Sequence, residues 1–399
     1  LRERIMPDAL PPLRLVGAAV LTDGALRPAP LGLAAGCVTG GEGLPEVDLT
    51  GYWVLPGIID LHGDGFERQC YPRPRAPFPI RSGLAATARE AAAHGVTTAY
   101  LAQSWSWEGG VRGPDQAEAV MAEVQAFRAG SAVDLRVQVR AETHLVDEVP
   151  RLIAAVERFG VTYVVFNDHL DEGIQMRRHA PQAFAAWAGK AGLTGHELAE
   201  RLDAARARSR EVPRALCALA EAFDRLGVTY GSHDDPDAET REVYRVLGAR
   251  IAEFPITRRA AAAARAEGDP VLMGAPNVVR GGSQAGNVAA EHLIREGMCD
   301  ALVSDYHIPA LPMAVWALVD RGVLPFEKAW AMVSANPARV LGLEDRGRLE
   351  PGMRADLVVM NPETREIEAT IAGGRMAHLS GDLAARFMRL PPAVRLAAE

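Results

Sequence analysis

Short runs of apolar and β-branched residues recur through the middle of the chain, separated by alanine-rich stretches of helical period. Runs near 54–61, 96–103, 134–142, 161–167, 228–232, 250–254, 271–276 and 301–304 read as strands buried on both faces, and stretches such as 83–94 and 289–296 read as the helices between them. Eight alternating units of this kind predict a closed parallel α/β barrel rather than an open sheet. A long helical stretch, 181–226, interrupts the fourth and fifth units and predicts an insertion.

The two ends have a different texture. Segments 13–21 and 46–53, and near the other end 355–360, 366–371 and 376–379, are short strand-like pieces broken by Gly and Asp turns, with Gly373 and Gly374 between the last two. Neither end has enough strands to bury a face alone. The expected fold is therefore a (β/α)8 TIM-like barrel over 54–345 with a small composite β-sandwich domain built from 1–53 and 346–385.

Chemistry gathers where the apolar runs stop. Five of them end in metal-ligand types: Asp60-Leu-His62-Gly-Asp64, Arg140-Ala-Glu142, Asn167-Asp-His169, Ser232-His233-Asp234-Asp235 and Ser304-Asp305-Tyr306. One such histidine would mean little, because a core histidine bonded to a carbonyl is the commoner case. Several at the same end of a barrel point to a shared site, since ligands converge there. His62 and Asp64 alternate along extended backbone and so share a side. Glu142 lies on one face with positions 138 and 140 and needs a cation, either an ion or an arginine such as Arg140. His144 is a second candidate for that role. His169 and His233 offer neutral imidazoles, with Asp234 and Asp235 as partners that orient His233. Asp305 closes the last strand, where one carboxylate oxygen can hold an ion and the other can take a proton from an attacking water. Helix capping is the plain alternative for Asp64 and Asp305.

A glycine-rich segment, 274–287, follows a strand and opens a helix, so its backbone N–H groups, with Asn277, Arg280 and Ser283, could cradle an anion. A purely structural glycine turn would read the same way. Arg177 and Arg178, shortly after His169, are further candidates for phosphate contacts.

Composition narrows the classes. Net charge is −8 with no basic run, which disfavours nucleic acid as a partner, and the only lysines are Lys190 and Lys328. Cys37, Cys70, Cys217 and Cys299 lie far apart, without a zinc-knuckle or disulfide pattern, and no run is long and apolar enough for a bilayer. A cytoplasmic location is the expectation, with no signal-peptide pattern at the start. Nucleophile-elbow and phosphate-loop motifs are absent.

Two longer motifs carry a resemblance. Val54-Leu-Pro-Gly-Ile-Ile-Asp-Leu-His62 resembles the first-strand signature of the amidohydrolase superfamily, and segments 336–343 and 347–359 resemble its C-terminal signature. The resemblance implies a metal-bearing barrel joined to a β-sandwich made from both chain ends. Within that superfamily, His62-Gly-Asp64 with Glu67, Asn167-Asp-His169, Ser232-His-Asp-Asp235, Met273-Gly-Ala-Pro-Asn277, Arg280-Gly-Gly-Ser283 and Ser304-Asp305-Tyr306 resemble the diphosphatase family of the bacterial carbon–phosphorus lyase pathway.

That likeness implies hydrolysis of α-D-ribose 1-methylphosphonate 5-triphosphate to the 5-phosphate and pyrophosphate, in phosphonate catabolism. It implies His62, Asp64, Glu142, His169, His233 and Asp305 as ligands of one or two divalent ions, zinc being expected and manganese or iron also suiting such a site. Neither lysine stands at a strand end, so the carboxylated lysine bridge of many relatives is replaced here, in expectation, by Glu142. The chain departs from the family at Gln284, where a His is usual, at Pro309-Ala310-Leu311, where Pro-x-Ser is usual, and across 172–178. Two other readings follow from these departures: hydrolysis of an amide, lactam or amidine carbon, and a catalytically silent subunit of a carbon–phosphorus pathway assembly. A small phosphorylated substrate is the expected partner, with no nucleic acid or membrane, and the expected assembly is a homodimer to which the insertion contributes either a lid or a contact.

Overall fold

The computed structural model describes residues 9–389 except 74, 75 and 285. Eight parallel strands follow one another around a barrel: Ile58–Gly63, Val96–Trp105, Asp134–Glu142, Tyr163–Asn167, Thr229–His233, Ile251–Glu253, Val271–Gly274 and Ala301–Val303. Each pairs in register with the next. The last strand returns to the first through a bridge between Gly63 and Asp305. Buried Asp60 reinforces that seam, accepting hydrogen bonds from Ser304 N at 2.9 Å and Ser304 Oγ at 2.6 Å.

Strands apolar on both faces need two cores. Outward residues such as Val139, Phe166 and Leu302 pack under the helices, while Ile59, Tyr163, Ile251 and Val303 fill the inside. This leaves the polar strand ends at one mouth.

The chain ends combine as expected. In a six-stranded sheet, Trp53–Pro56 from the N-terminal part pairs antiparallel with Leu357–Met360 from the C-terminal part. A four-stranded sheet of Leu13–Val16, Leu31–Ala34, Cys37–Thr39 and Glu46–Asp48 covers it. Leu15, Leu33, Val54, Leu357 and Ile371 share the core between them.

Two expected boundaries need correction. The run 54–61 is two strands, not one: Trp53–Pro56 belongs to the terminal sheet, and the barrel starts at Ile58. Gly57 is the break, because a Cβ there would stand 2.4 Å from Thr97 Oγ1. The insertion is also displaced. Helix Val212–Leu226 is a barrel helix, with Leu216, Leu219 and Phe223 in the main core. The inserted unit is instead Leu170–His179, Pro181–Lys190 and Gly195–Ala207. These helices form their own apolar cluster with Phe184, Leu198 and Leu202, and Trp107 from just beyond the second barrel strand pins it beside the mouth. Among the described residues, no helix is long and apolar enough to cross a membrane.

Candidate active site

Three barrel strands hand over to their loops through a non-glycine residue in the left-handed region: Asp234 at φ 60°, Phe254 at φ 49° and Asp305 at φ 55°. Each follows a residue aimed into the barrel, namely His233, Glu253 or Ser304. Such backbone is costly and is kept where it positions functional groups. Here it turns the chain sharply and brings consecutive side chains to one opening.

That opening is a cavity of about 240 Å³. Its floor carries His62, Asp64, His233 and Asp305, and the glycine-rich loop supplies Asn277, Arg280 and Ser283 along one wall. Gly274 keeps the space between them, since a Cβ there would lie 3.3 Å from Asp305 Oδ2.

His62 and His233 face each other with ring centroids 5.1 Å apart. His62 Nδ1 donates to Glu253 Oε2 at 2.9 Å, and Glu253 Oε1 accepts from Gln138 Nε2 and Tyr163 Oη, both at 2.6 Å. Burial alone would push the His62 imidazole down, but the Glu253 carboxylate outweighs it and holds the ring above its ordinary value. Glu253 was absent from the sequence expectation although it closes its strand as His233 does. With both oxygens engaged, it orients His62.

His233 is in the opposite condition. Burial holds its imidazole below the ordinary value, and its Nε2 is buried without a hydrogen-bond partner. A neutral imidazole with an unpartnered nitrogen, beside His62 and the carboxylates of Asp64 and Asp305, fits a divalent ion. His62, His233 and Glu253 lie close enough together to hold one.

Glu142 and His169 do not line this cavity. They form a neighbouring group with Glu108 that could also hold an ion. Both Glu142 oxygens already accept hydrogen bonds, from Asn167 Nδ2 at 2.7 Å, His169 Nδ1 at 2.5 Å, Trp107 Nε1 at 3.2 Å and His169 N at 3.2 Å. One shared set of six ligands is therefore resolved into two groups, and the first has the clearer need of an ion. His144 turns away, with Nδ1 3.4 Å from Asp168 Oδ1.

The candidate phosphate contacts also divide. Arg280 reaches the cavity rim and donates to Gln284 Oε1 at 3.0 Å. Asn277 lines the wall, but its amide ties the loop down, donating to Val288 O at 3.3 Å and accepting from Ala290 N at 2.9 Å. Arg177 and Arg178 both stand on the inserted helix Leu170–His179, outside the lining of this cavity. Arg177 is paired with Asp203, Nη1 to Oδ2, at 2.9 Å, and Arg178 is exposed. Arg140, read earlier only as a partner for Glu142, lines the floor.

Burial and the nearby Asp64 carboxylate push the Asp305 carboxyl up to about 6, against the pull of His62. Binding an ion would expel protons from Asp305 and His62. Ion affinity should therefore fall as pH drops through about 6. Calorimetric titration with zinc in buffers of different ionisation enthalpy should show at least partial proton release there. Proton-independent binding would contradict this assignment.

Comparisons with known proteins agree with the architecture. A family model described as "Amidohydrolase family" matches residues 80–378. The α-D-ribose 1-methylphosphonate 5-triphosphate diphosphatase of Escherichia coli (strain K12) is 35% identical over 340 residues, covering 81% of this chain and 87% of that protein. Two solved structures share the fold. The β-aspartyl dipeptidase of Fervidobacterium islandicum AW-1 has TM-score 0.63 at 14% identity, covering 93% of this chain and 97% of its own. The N-acetylglucosamine-6-phosphate deacetylase of Pasteurella multocida has TM-score 0.59 at 12% identity, covering 92% and 99%. By the extent of the family match and of the 35% identical relative, the chain belongs to the amidohydrolase family of hydrolases.

Proposed function

We propose that the protein hydrolyses a phosphoric anhydride, with α-D-ribose 1-methylphosphonate 5-triphosphate as substrate, giving the 5-phosphate and pyrophosphate. The observation that carries this reading is the make-up of one cavity. Imidazoles and carboxylates that fit a divalent ion share about 240 Å³ with two arginines, Arg140 and Arg280. A neutral amide has no need of that cationic surface, whereas a polyphosphate needs several such contacts. The sugar and phosphonate are taken from the 35% identical relative.

A bound divalent ion, zinc in our reading, would supply a Lewis acid that offsets phosphoryl charge and makes water more acidic. His62, His233, Asp64 and Asp305 would hold it, with Glu253 fixing the His62 ring; Glu142 and His169 are the proposed holders of a second. Asp305 takes the proton of the attacking water. The new bond forms from that water oxygen to the α-phosphorus, and the bond from the α-phosphorus to the bridging oxygen breaks. Pyrophosphate leaves with the electron pair. Arg280 steadies the phosphate chain at the rim. The four cysteines are unpaired, which supports placing this chemistry in the cytoplasm.

Incubating the zinc-loaded protein with the ribose triphosphate, with nucleoside triphosphates and with a panel of N-acyl amino acids and cyclic amides tests the reading. Stoichiometric pyrophosphate from the ribose compound, with the amide panel inert, is the expected result. Turnover of an amide alone would replace it.

A further inference from the structure

Three arginines are buried in the described structure, and two of them are held by several hydrogen bonds. Arg241 donates to Ser232, Asp269 and two backbone carbonyls. Arg346 donates to Thr98, Asp134 and Asp345. Arg140 differs. It is 7% exposed, yet among the described residues its guanidinium makes no hydrogen bond. Its nearest anion, Asp64 Oδ2, is 3.7 Å from Nη1, and its Nε is buried without a partner.

The neighbours on its own strand make the contrast sharper. Residues 138, 140 and 142 point the same way, into the barrel. Below, Gln138 is spent on Glu253; above, Glu142 is spent on Asn167, His169 and Trp107. Arg140 stands between these two groups, on the floor of the cavity and within electrostatic reach of His62, His233 and Asp305. Burying a guanidinium without hydrogen bonds is costly. Its planar fork suits two oxygens of a phosphoryl group, which a lysine's point charge does not.

We propose that Arg140 is a buried anion clamp that takes two non-bridging oxygens of the phosphoryl group under attack, leaving Arg280 to hold the outer phosphates. The assignment rests on the anhydride reading. It makes Arg140 a catalytic residue, in direct contact with the reacting group as charge develops there. The competing role is charge balance, in which Arg140 only offsets Asp64, Asp234 and Asp305.

Arg140→Gln and Arg140→Lys separate the two. For each, zinc content, melting temperature, kcat and KM for the ribose triphosphate, and calorimetric affinity for ribose 5-phosphate, whose phosphoryl group corresponds to the one under attack, would be measured. The clamp predicts unchanged zinc per protomer and a kcat/KM lower by about 10²–10³-fold in Arg140→Gln. Ribose 5-phosphate affinity should fall at least about tenfold, with Lys restoring only part of either loss. Lys keeps the charge, so it carries the test if Gln fails to fold. Wild-type ribose 5-phosphate affinity in both variants, or in Lys alone if Gln fails to fold, would overturn the clamp, as would wild-type protein that binds no ribose 5-phosphate. Failure of the anhydride reading is distinguishable, because calorimetry needs no turnover: ribose 5-phosphate that binds through Arg140 without any anhydride being hydrolysed leaves the clamp and removes the reaction.

Discussion

Asp305→Asn should lower kcat by about 10³–10⁴-fold while the protein keeps its fold. The substitution is chosen for its backbone. Asp305 sits at φ 55°, a conformation that Asn tolerates at least as well as Asp and that a β-branched residue would resist. Its main chain also closes the barrel: Asp305 N donates to His62 O at 2.9 Å, and its carbonyl accepts from Asp64 N at 2.8 Å. An amide preserves those bonds and the shape of the side chain. It removes the one property the reaction needs, a carboxylate that accepts a proton. Kinetics at saturating zinc, with metal content and melting temperature measured on the same sample, separate lost chemistry from lost ion or lost fold. A variant retaining more than a tenth of wild-type kcat would remove Asp305 from the proton step.

Arg241→Ala should destabilise the protein by about 3–5 kcal/mol, although Arg241 lies outside the cavity. The side chain is 1% exposed and ties the fifth barrel strand to its neighbours, donating to Ser232 Oγ at 2.5 Å, Asp269 Oδ2 at 3.0 Å and Ile251 O at 3.3 Å. Asp235 Oδ2 is 3.6 Å away and accepts from Ser232 Oγ at 2.6 Å. Alanine would leave Asp235 buried without its cation and Asp269 with only Arg245, whose Nε is 3.0 Å from Asp269 Oδ2. Burial already raises both carboxyls, and Arg241 counters it. Without Arg241 their folded pKa values should rise further above those of the unfolded chain. A carboxyl raised in the folded state loses stability as pH rises through that folded pKa. The deficit should thus be larger at neutral than at acid pH. Urea unfolding at pH 5 and pH 7.5 measures both. A loss below about 1 kcal/mol at both would show that the cluster is dispensable.

The barrel was legible because strands buried on both faces leave long apolar runs, and five of the eight runs ended in residue types that a core would otherwise exclude. His62, His233 and Asp305 stood out for that reason, and the structure brings them together. Glu253 carried the same signal, closing Ile251–Glu253 as His233 closes Thr229–His233, but a lone glutamate without a motif reads as an ordinary surface charge. The Pro56-Gly57 dipeptide is a turn signal that the apolar residues on either side masked, and the close approach of Thr97 shows why the chain breaks there. Arg177 shows a different limit. Its nearness to His169 in sequence suggested the site, yet about two turns of helix and a partner at Asp203 decide where it points. Arg140 was legible as a charge inside a barrel, but which anion it lacks depends on what its neighbours have already bound.

Hydrolysis in ¹⁸O-water, with both products read by mass spectrometry, tests the central claim most directly. Attack at the α-phosphorus predicts one ¹⁸O atom in the ribose 5-phosphate product and none in pyrophosphate. Label in pyrophosphate, or inorganic phosphate as the released species, would contradict it.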